Sequence, residues 1–244
     1  LAAPNVIEMF AGKRDYRSWI DGGISQAGLG NALVWAKSGS LLYFTDNHSV
    51  RVLDLTDPSN PTITTLAGSP RKSGYVDATG AAARFNNPRG LWLDGSRLLI
   101  ADKDNYRIRA MDLTTLAVTT IAGGASSALT DSANPLNARF IQPVKITAIG
   151  SDLYIADTYA LRKMDLTTGA VTTVGGTSSN TAGYHDYVDG DASTSRFTQL
   201  YNVGAANGLV WLTDILGNTI RFFDPNTGLT STYLGTPRGP GSLD

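Results

Sequence analysis

The chain has 244 residues, a formal net charge of −1 and no cysteine. A near-neutral charge argues against a surface built to neutralise phosphates, so nucleic acid is not the favoured partner. The lack of cysteine excludes disulfides and thiolate metal sites within this sequence, and no apolar run approaches the about 20 residues of a membrane span.

The composition favours short strands and turns. Glu8 is the sole glutamate and glycine occurs 26 times, so strong helix formers are scarce and turn formers are abundant. Lysine occurs six times against fourteen arginines, and the loops are rich in serine, threonine, glycine and alanine. From this composition we expect an extracellular or cell-surface protein.

In chain order, the first predicted element is a strand at 7–12 that ends in glycine. A series of four strands follows: a variable one at 33–36, one at 41–46 ending in Asp46, one at 50–54 ending in aspartate, and one at 64–68 ending in glycine. The series recurs three times, and Asp46, Asp102, Asp157 and Asp214 are 56, 55 and 57 residues apart. A period of this length indicates a repeat architecture.

A single four-stranded sheet cannot bury both of its faces, but sheets stacked around an axis can. We therefore predict an all-β protein, a β-propeller of four-stranded antiparallel blades forming one domain over 1–244. The predicted blades cover approximately 32–68, 89–123, 143–176 and 202–235. The strand at 7–12 is predicted to be an additional N-terminal outer strand.

The best-preserved unit reads Ala-Arg-Phe-Asn-Asn-Pro-Arg-Gly-Leu at 83–91, followed by Ile-Ala-Asp at 100–102, Asn105, Ile108-Arg109 and Asp112. This unit resembles the NHL repeat. The resemblance implies a propeller, commonly of six blades, but no single activity, because the family includes enzymes, sensors and binders of protein or RNA. Blades one and four depart from the pattern, since Gly28-Leu29 replaces Arg-Phe and Leu200 lies near the expected proline.

The loops that join consecutive blades repeat an aspartate and, seven or eight positions later, an arginine. Because they recur, we interpret these residues as structural pairs that cap turns and hold blades together. The pairs are Asp77 with Arg84, Asp131 with Arg139, and Asp189 with Arg196, while Asp21 is followed by Gly28.

The glycine that ends a unit lies nine residues before the loop aspartate at Gly12 and Asp21, and again at Gly68 and Asp77. The same interval joins Gly235 to Asp244, so the last residue falls on the first fixed position of a fifth repeat. We therefore expect the chain to be a portion of a longer array of about six blades.

Binding residues are expected where the repeats differ, on the loops that a rigid scaffold presents. The candidates for a binding surface are Trp19, Tyr75, Tyr184, His185 and Tyr187. The alternative for the aromatic residues is that each packs its own loop onto its blade.

The longest loop, 177–197, also offers a cluster of oxygen ligands that suits calcium: Asp186, Asp189 and Asp191, beside His185. The alternative is a solvated acidic loop in which Asp189 bonds Arg196. Apart from this calcium hypothesis, no cofactor is expected.

No catalytic residue is assigned. His48 and His185 are the only histidines, which excludes a three-histidine zinc site within this chain. We therefore expect a binding or scaffolding module that contacts a protein or glycan, or packs laterally in an assembly. One alternative is a calcium-dependent hydrolase or lyase with part of its site in missing blades. The other is an RNA-binding propeller that uses the basic residues of blade two: Arg71, Lys72, Arg84, Arg89, Lys103, Arg107 and Arg109.

Asn47-His48-Ser49 matches the N-glycosylation acceptor pattern and lies in a predicted turn between two strands. Asn47 is therefore a glycosylation candidate if the protein passes through a eukaryotic secretory pathway.

Overall fold

The computed structural model describes residues 19–177 and 187–235, which form four antiparallel sheets arranged as consecutive blades. Blade one contains β1 (Gly22–Gly23), β2 (Ala32–Ser38), β3 (Leu41–Asp46), β4 (Ser49–Asp54) and β5 (Thr62–Gly68). Blade two contains β6 (Pro88–Asp94), β7 (Arg97–Asp102), β8 (Arg107–Asp112) and β9 (Val118–Ala122). Blade three contains β10 (Pro143–Ile149), β11 (Asp152–Asp157), β12 (Ala160–Asp165) and β13 (Val171–Gly176). Blade four contains β14 (Leu200–Ala206), β15 (Leu209–Asp214), β16 (Thr219–Asp224) and β17 (Leu229–Leu234).

The all-β fold of four-stranded antiparallel blades is confirmed. The two-residue β1 pairs with β5 at the outer edge of blade one, and the other four strands of each blade pair in sequence order. The first of these four strands contacts its counterpart in the neighbouring blade, β2 with β6, β6 with β10, and β10 with β14. The strands β2, β6, β10 and β14 are therefore the innermost ones, next to the axis, and we count the four strands of each blade from them. The predicted outer strand at 7–12 lies outside the described residues.

Helical structure in the described residues is limited to three 3-10 turns, Gly80–Ala82, Lys103–Asn105 and Pro135–Asn137. None of these helical turns is long enough to cross a membrane.

The core lies between blades. Tyr43, Val50 and Val52 of blade one pack against Phe85 and Leu98 of blade two. The same arrangement joins blades two and three, and blades three and four. Blades two and three thus bury both faces against their neighbours, as expected for stacked sheets.

The glycine that ends the fourth strand is required by close packing. Gly68 has a φ of +84°, and a Cβ there would lie 2.6 Å from the carbonyl oxygen of His48 and 2.8 Å from the ring of Phe85. Gly123, Gly176 and Gly235 have φ values of +99°, +86° and +97°. This left-handed conformation and the lack of space explain why the strand runs into glycine in every repeat.

Each innermost strand carries a β-bulge near its start, where the register with the second strand shifts. The shift falls between Leu33 and Trp35, Pro88 and Gly90, Pro143 and Lys145, and Leu200 and Asn202. The extra residues are Val34, Arg89, Val144 and Tyr201. A bulge redirects side chains locally, and bulges are frequent beside binding sites.

Candidate functional site

A buried arginine organises the edge of each blade from which the interblade loops emerge. In blade two, Nη1 of Arg109 donates to Asp102 at 2.8 Å, and Nη2 donates to Asp77 at 2.5 Å. The same guanidinium donates to the carbonyl oxygens of Val76 at 3.0 Å and Arg84 at 3.1 Å. Arg109 is completely buried, so these hydrogen bonds take the place of water around its positively charged guanidinium.

The predicted pairing of Asp77 with Arg84, Asp131 with Arg139, and Asp189 with Arg196 is wrong in its arginines. The partners are the third-strand arginines Arg109, Arg162 and Arg221, at 2.5, 3.0 and 2.7 Å. Arg84 and Arg196 instead donate to carbonyl oxygens of their own loops, and the guanidinium of Arg139 lies against Gly124. An antiparallel bridge, such as the one between Val76 and Arg84, folds each loop back on itself. The loop arginines therefore contact the backbone of their own loop.

The loop aspartate also fastens the outermost strand of its own blade. Asp77 accepts from the backbone N–H of Thr120 at 3.0 Å and from its hydroxyl at 3.1 Å. The same two bonds join Asp21 to Thr65, Asp131 to Thr173, and Asp189 to Thr232. The repetition supports a structural role for these charges.

The aspartate at the end of the second strand is fully buried in every blade. Burial raises the pKa of Asp102 and of Asp157 to about 6, and bonds from the arginine and from loop N–H groups oppose this rise. The hydrogen bonds of Asp214 in blade four differ from those of Asp102 and Asp157. Asp214 accepts from the backbone N–H and the hydroxyl of Thr198 and from the backbone N–H of Gln199.

The aromatic candidates pack on separate blades. The guanidinium of Arg107 lies 3.8 Å from the centre of the Tyr75 ring, and the Tyr75 hydroxyl is 3.1 Å from that of Thr120. Arg221 lies 4.5 Å from the ring centre of Tyr187. Such cation–π contacts support the alternative that these rings hold loops onto blades.

Trp19 packs against Gly30, and Arg71 lies 5.6 Å from its ring centre. The other two candidates for the binding surface, Tyr184 and His185, lie outside the described residues.

Within the described part of the proposed calcium cluster, the carboxylates have structural partners. Asp189 bonds Arg221 and Thr232, and Asp191 accepts from Ser193 and Thr194. These hydrogen bonds lower the pKa of Asp191 to about 2. The residues described contain no group of three side chains that could hold a metal, and Asp186 lies outside them with His185. The calcium hypothesis stays a prediction.

Asn47 lies in the turn between β3 and β4 with a φ of +55°. Its amide nitrogen donates to the carbonyl oxygen of Pro70, and Ser49 is buried, with its hydroxyl donating to the carbonyl oxygen of Asp46. In the folded protein both polar ends of the acceptor pattern are therefore engaged. Glycosylation of Asn47 stays a prediction.

A cavity at the axis brings all four blades together. Its volume is about 160 Å³, and it is lined by the four bulge residues and three neighbours: Leu33, Val34, Arg89, Val144, Lys145, Tyr201 and Asn202. These residues come from the first three positions of the innermost strands, so the cavity opens towards the face that carries the interblade loops. We call this cavity the axial mouth.

The axial mouth combines apolar walls with two cations. Leu33, Val34 and Val144 provide the apolar part, and Nη1 of Arg89 donates to the hydroxyl of Tyr201 across the axis at 3.0 Å. Burial lowers the pKa of Lys145. Concave sites with apolar walls and a few polar groups are typical of ligand binding.

The sequence did not identify the axial mouth. Arg89 entered only as one of several basic residues of blade two, and Lys145, Tyr201 and Asn202 were not candidates. One signal was available: the innermost strands start at the loop face, and their second and third residues differ in every blade.

Four stacked antiparallel blades around a common axial cavity define a protein of the β-propeller class. A segment of 93 residues, 36% of this chain, is 34% identical to NHL repeat-containing protein 2 of Homo sapiens, and the same protein of Bos taurus matches at 34% over 90 residues. The repeats are therefore of the NHL type, as the residues of blade two indicated. The matched segments cover 12% of the length of those two proteins, and no family model matches the chain.

Two solved structures share the fold. Both are extracellular domains of proteins described as hybrid two-component systems from B. thetaiotaomicron, each with a TM-score of 0.52. The first is 16% identical, with 87% of this chain and 26% of that chain covered; the second is 10% identical, with 83% and 22% covered. At these identities the likeness concerns the fold alone.

Proposed function

We propose that the chain is a non-enzymatic binding module of an extracellular or cell-surface protein, and that the axial mouth is where it holds a glycan or a segment of a partner protein. The observation that carries the proposal is the contrast between the blades' edges and their centre. The arginine networks repeat from blade to blade, whereas the bulge positions present valine, arginine, valine and tyrosine. Repeated residues serve the architecture, and an irregular set around one cavity is available for recognition.

Two of the basic residues that favoured RNA binding are engaged within the protein. Arg109 is fully buried, and Arg107 stacks on Tyr75 and donates to the carbonyl oxygen of Asn105. Phosphate contacts need accessible cations, so these two arginines cannot contribute to a nucleic-acid surface.

A binding test would screen the chain against glycan and peptide arrays and repeat the positive interactions with Tyr201→Ala. Tyr201 lies in the mouth and keeps 47% of its surface exposed. Tyr75→Ala is the matched control, since Tyr75 is 45% exposed but lies on the outer part of blade two. We expect Tyr201→Ala to abolish binding and Tyr75→Ala to preserve it, and the reverse result would move the site to the outer loops.

A second function, lateral assembly, is favoured by a face of blade four that no other blade of the described chain covers. We call this face, formed by Trp211, Ile220, Phe222 and Leu234, the open face. By strand register these residues correspond to Leu99, Ile108, Ala110 and Ala122 of blade two, which blade three covers to 5% exposure or less. In blade four, Ile220 and Leu234 are 38% and 60% exposed.

We propose that the open face packs against a further blade of the same repeat type, because the corresponding face does so in every other blade. Sedimentation velocity over a range of concentrations would compare the chain with Ile220→Asp/Leu234→Asp. We expect the unmodified chain to self-associate and the variant to stay monomeric. Self-association that persists in the variant would contradict this assignment.

A further inference from the structure

The two cations of the axial mouth lack an acidic partner among the residues that line it. Arg89 has a buried Nε with no hydrogen-bond partner, and its Nη1 bonds only the neutral hydroxyl of Tyr201. Within the described chain, Lys145 forms no hydrogen bond or ion pair. Among the described residues, these two positive charges therefore lie in one partly buried cavity without an acidic partner.

Two other lysines of the described chain have an acidic partner. Lys103 bonds Asp104 at 2.9 Å, and Lys163 bonds Asp152 at 3.2 Å. Asp104 lies in a turn at the loop face, but its oxygens accept from Lys103, from the amide of Asn87 at 3.0 Å and from Gln142 at 3.4 Å. These bonds hold Asp104 in the turn, so it does not neutralise the mouth.

Placing two uncompensated cations in a partly buried cavity is unfavourable unless an anion joins them, because burial penalises the charged form. The lowered pKa of Lys145 has this origin. An anionic ligand would accept hydrogen bonds from both side chains and remove the repulsion between them. Charge-assisted bonds of this kind are the stronger ones in proteins.

The other residues that line the axial mouth indicate what else the ligand contains. Tyr201 is half-exposed in the mouth, and the amide of Asn202 lies beside it at the rim. An aromatic ring binds the apolar face of a sugar. The amide NH2 of Asn202 can donate to a hydroxyl group, whereas its Oδ1 already accepts from the backbone N–H of Val203 at 3.1 Å.

We propose that the axial mouth binds an acidic sugar, with the anionic group between Arg89 and Lys145 and the sugar ring against Tyr201. This inference rests on the proposed function and specifies its ligand. The anion can be the carboxylate of a uronic acid or the sulfate ester of a sulfated sugar, since both present oxygens to two cations.

The test is isothermal titration of the full chain with three disaccharides that differ in charge: a uronic acid disaccharide, a sulfated one and a neutral one. We expect at least one acidic disaccharide to bind, with the affinity lowered by added salt, and the neutral one to bind about tenfold more weakly or worse. The two acidic ligands distinguish carboxylate from sulfate recognition.

The variants are Arg89→Met and Lys145→Met, with Arg97→Met as the matched control. Arg97 is an exposed arginine of blade two that bonds Asp94, away from the mouth. We expect each mouth variant to weaken the acidic ligand by about tenfold or more and the control to leave it unchanged. Arg89→Lys keeps the charge and should restore part of the affinity, which separates loss of charge from loss of folding.

The outcomes separate this inference from the proposed function. If the neutral disaccharide binds as tightly as the acidic ones and Tyr201→Ala alone abolishes it, the mouth is a binding site and the anion assignment is wrong. If no disaccharide binds and no array interaction depends on Tyr201, both proposals fail.

Discussion

Asp102→Ala tests whether the buried ion pairs of the blades stabilise the fold. Asp102 and Arg109 are both fully buried and lie 2.8 Å apart, whereas Asp77, the second partner of Arg109, keeps 39% of its side chain exposed. Removing Asp102 therefore takes away the buried acidic partner of Arg109 and leaves the partly exposed Asp77. Removing Asp77 instead opens the same guanidinium to water, which makes Asp77→Ala the matched control.

The magnitudes follow from these positions. Loss of one partner of a buried pair costs about 3–5 kcal/mol, and Asp77 keeps the cost near the lower end because it still bonds Arg109. The N–H of Asn86 and the amide of Asn105 also lose their acceptor, at about 1 kcal/mol each. We expect about 5 kcal/mol for Asp102→Ala, of which about 3 kcal/mol comes from the ion pair and about 1 kcal/mol from each of the two other hydrogen bonds. For Asp77→Ala we expect about 1–2 kcal/mol, since water screens an exposed partner.

Urea unfolding at pH 7.5, followed by tryptophan fluorescence and by circular dichroism, would measure these free energies. Coincidence of the two curves is needed, because repeat arrays lose two-state behaviour when one blade is weakened. The double variant Asp102→Ala/Arg109→Met should be more stable than Asp102→Ala, since it removes the stranded charge. Equal costs for Asp102→Ala and Asp77→Ala, or no recovery in the double variant, would refute the reasoning.

Two further predictions concern the backbone and the pH dependence. Gly68→Ala places a Cβ 2.6 Å from the His48 carbonyl oxygen and should lower the free energy of unfolding by at least about 3 kcal/mol. Gly95 is also a left-handed glycine but has open space around it, so Gly95→Ala should cost about 1 kcal/mol. Equal urea midpoints for the two variants would contradict this. Asp102 and Asp157 have pKa values of about 6 when folded, against about 3.9 in an unfolded chain. The folded state therefore binds more protons between these values, and the free energy of unfolding should rise as the pH falls from 7 to 5. Asp102→Asn/Asp157→Asn should lack this rise, and an unmodified chain whose stability falls steadily over the same range would disprove the assignment.

The repeat made the fold predictable because the same physical requirement appears four times in one sequence. The aspartate that ends the second strand and the glycine that ends the fourth lie at constant intervals, and each has a packing reason visible in every blade. Asp102 binds loop N–H groups and Arg109, and Gly68 has no space for a side chain. Periodicity shows that such residues are structural before any contact is known.

Periodicity alone could not choose between two arginines that recur together. The loop arginine lies seven residues after Asp77 and the third-strand arginine lies 32 residues after it, and the nearer one was the wrong choice. Blade one contained the discriminating signal. Its loop has Gly28 where the others have arginine, yet Asp21 is present and bonds the third-strand Arg51 at 2.9 Å. The arginine that all four repeats retain is the partner.

The axial mouth could not be predicted in the same way, because it depends on a register shift of one residue. A one-residue bulge redirects Val34, Arg89, Val144 and Tyr201 at the start of the innermost strands, and no residue type in these positions identifies a bulge. Since the bulge is a backbone feature common to the four blades, its side chains can vary without disturbing the arginine networks at the blade edges. Substitutions at Arg89 or Tyr201 should therefore change what the axial mouth binds while leaving the urea midpoint nearly unchanged, whereas substitutions at Arg109 should do the opposite.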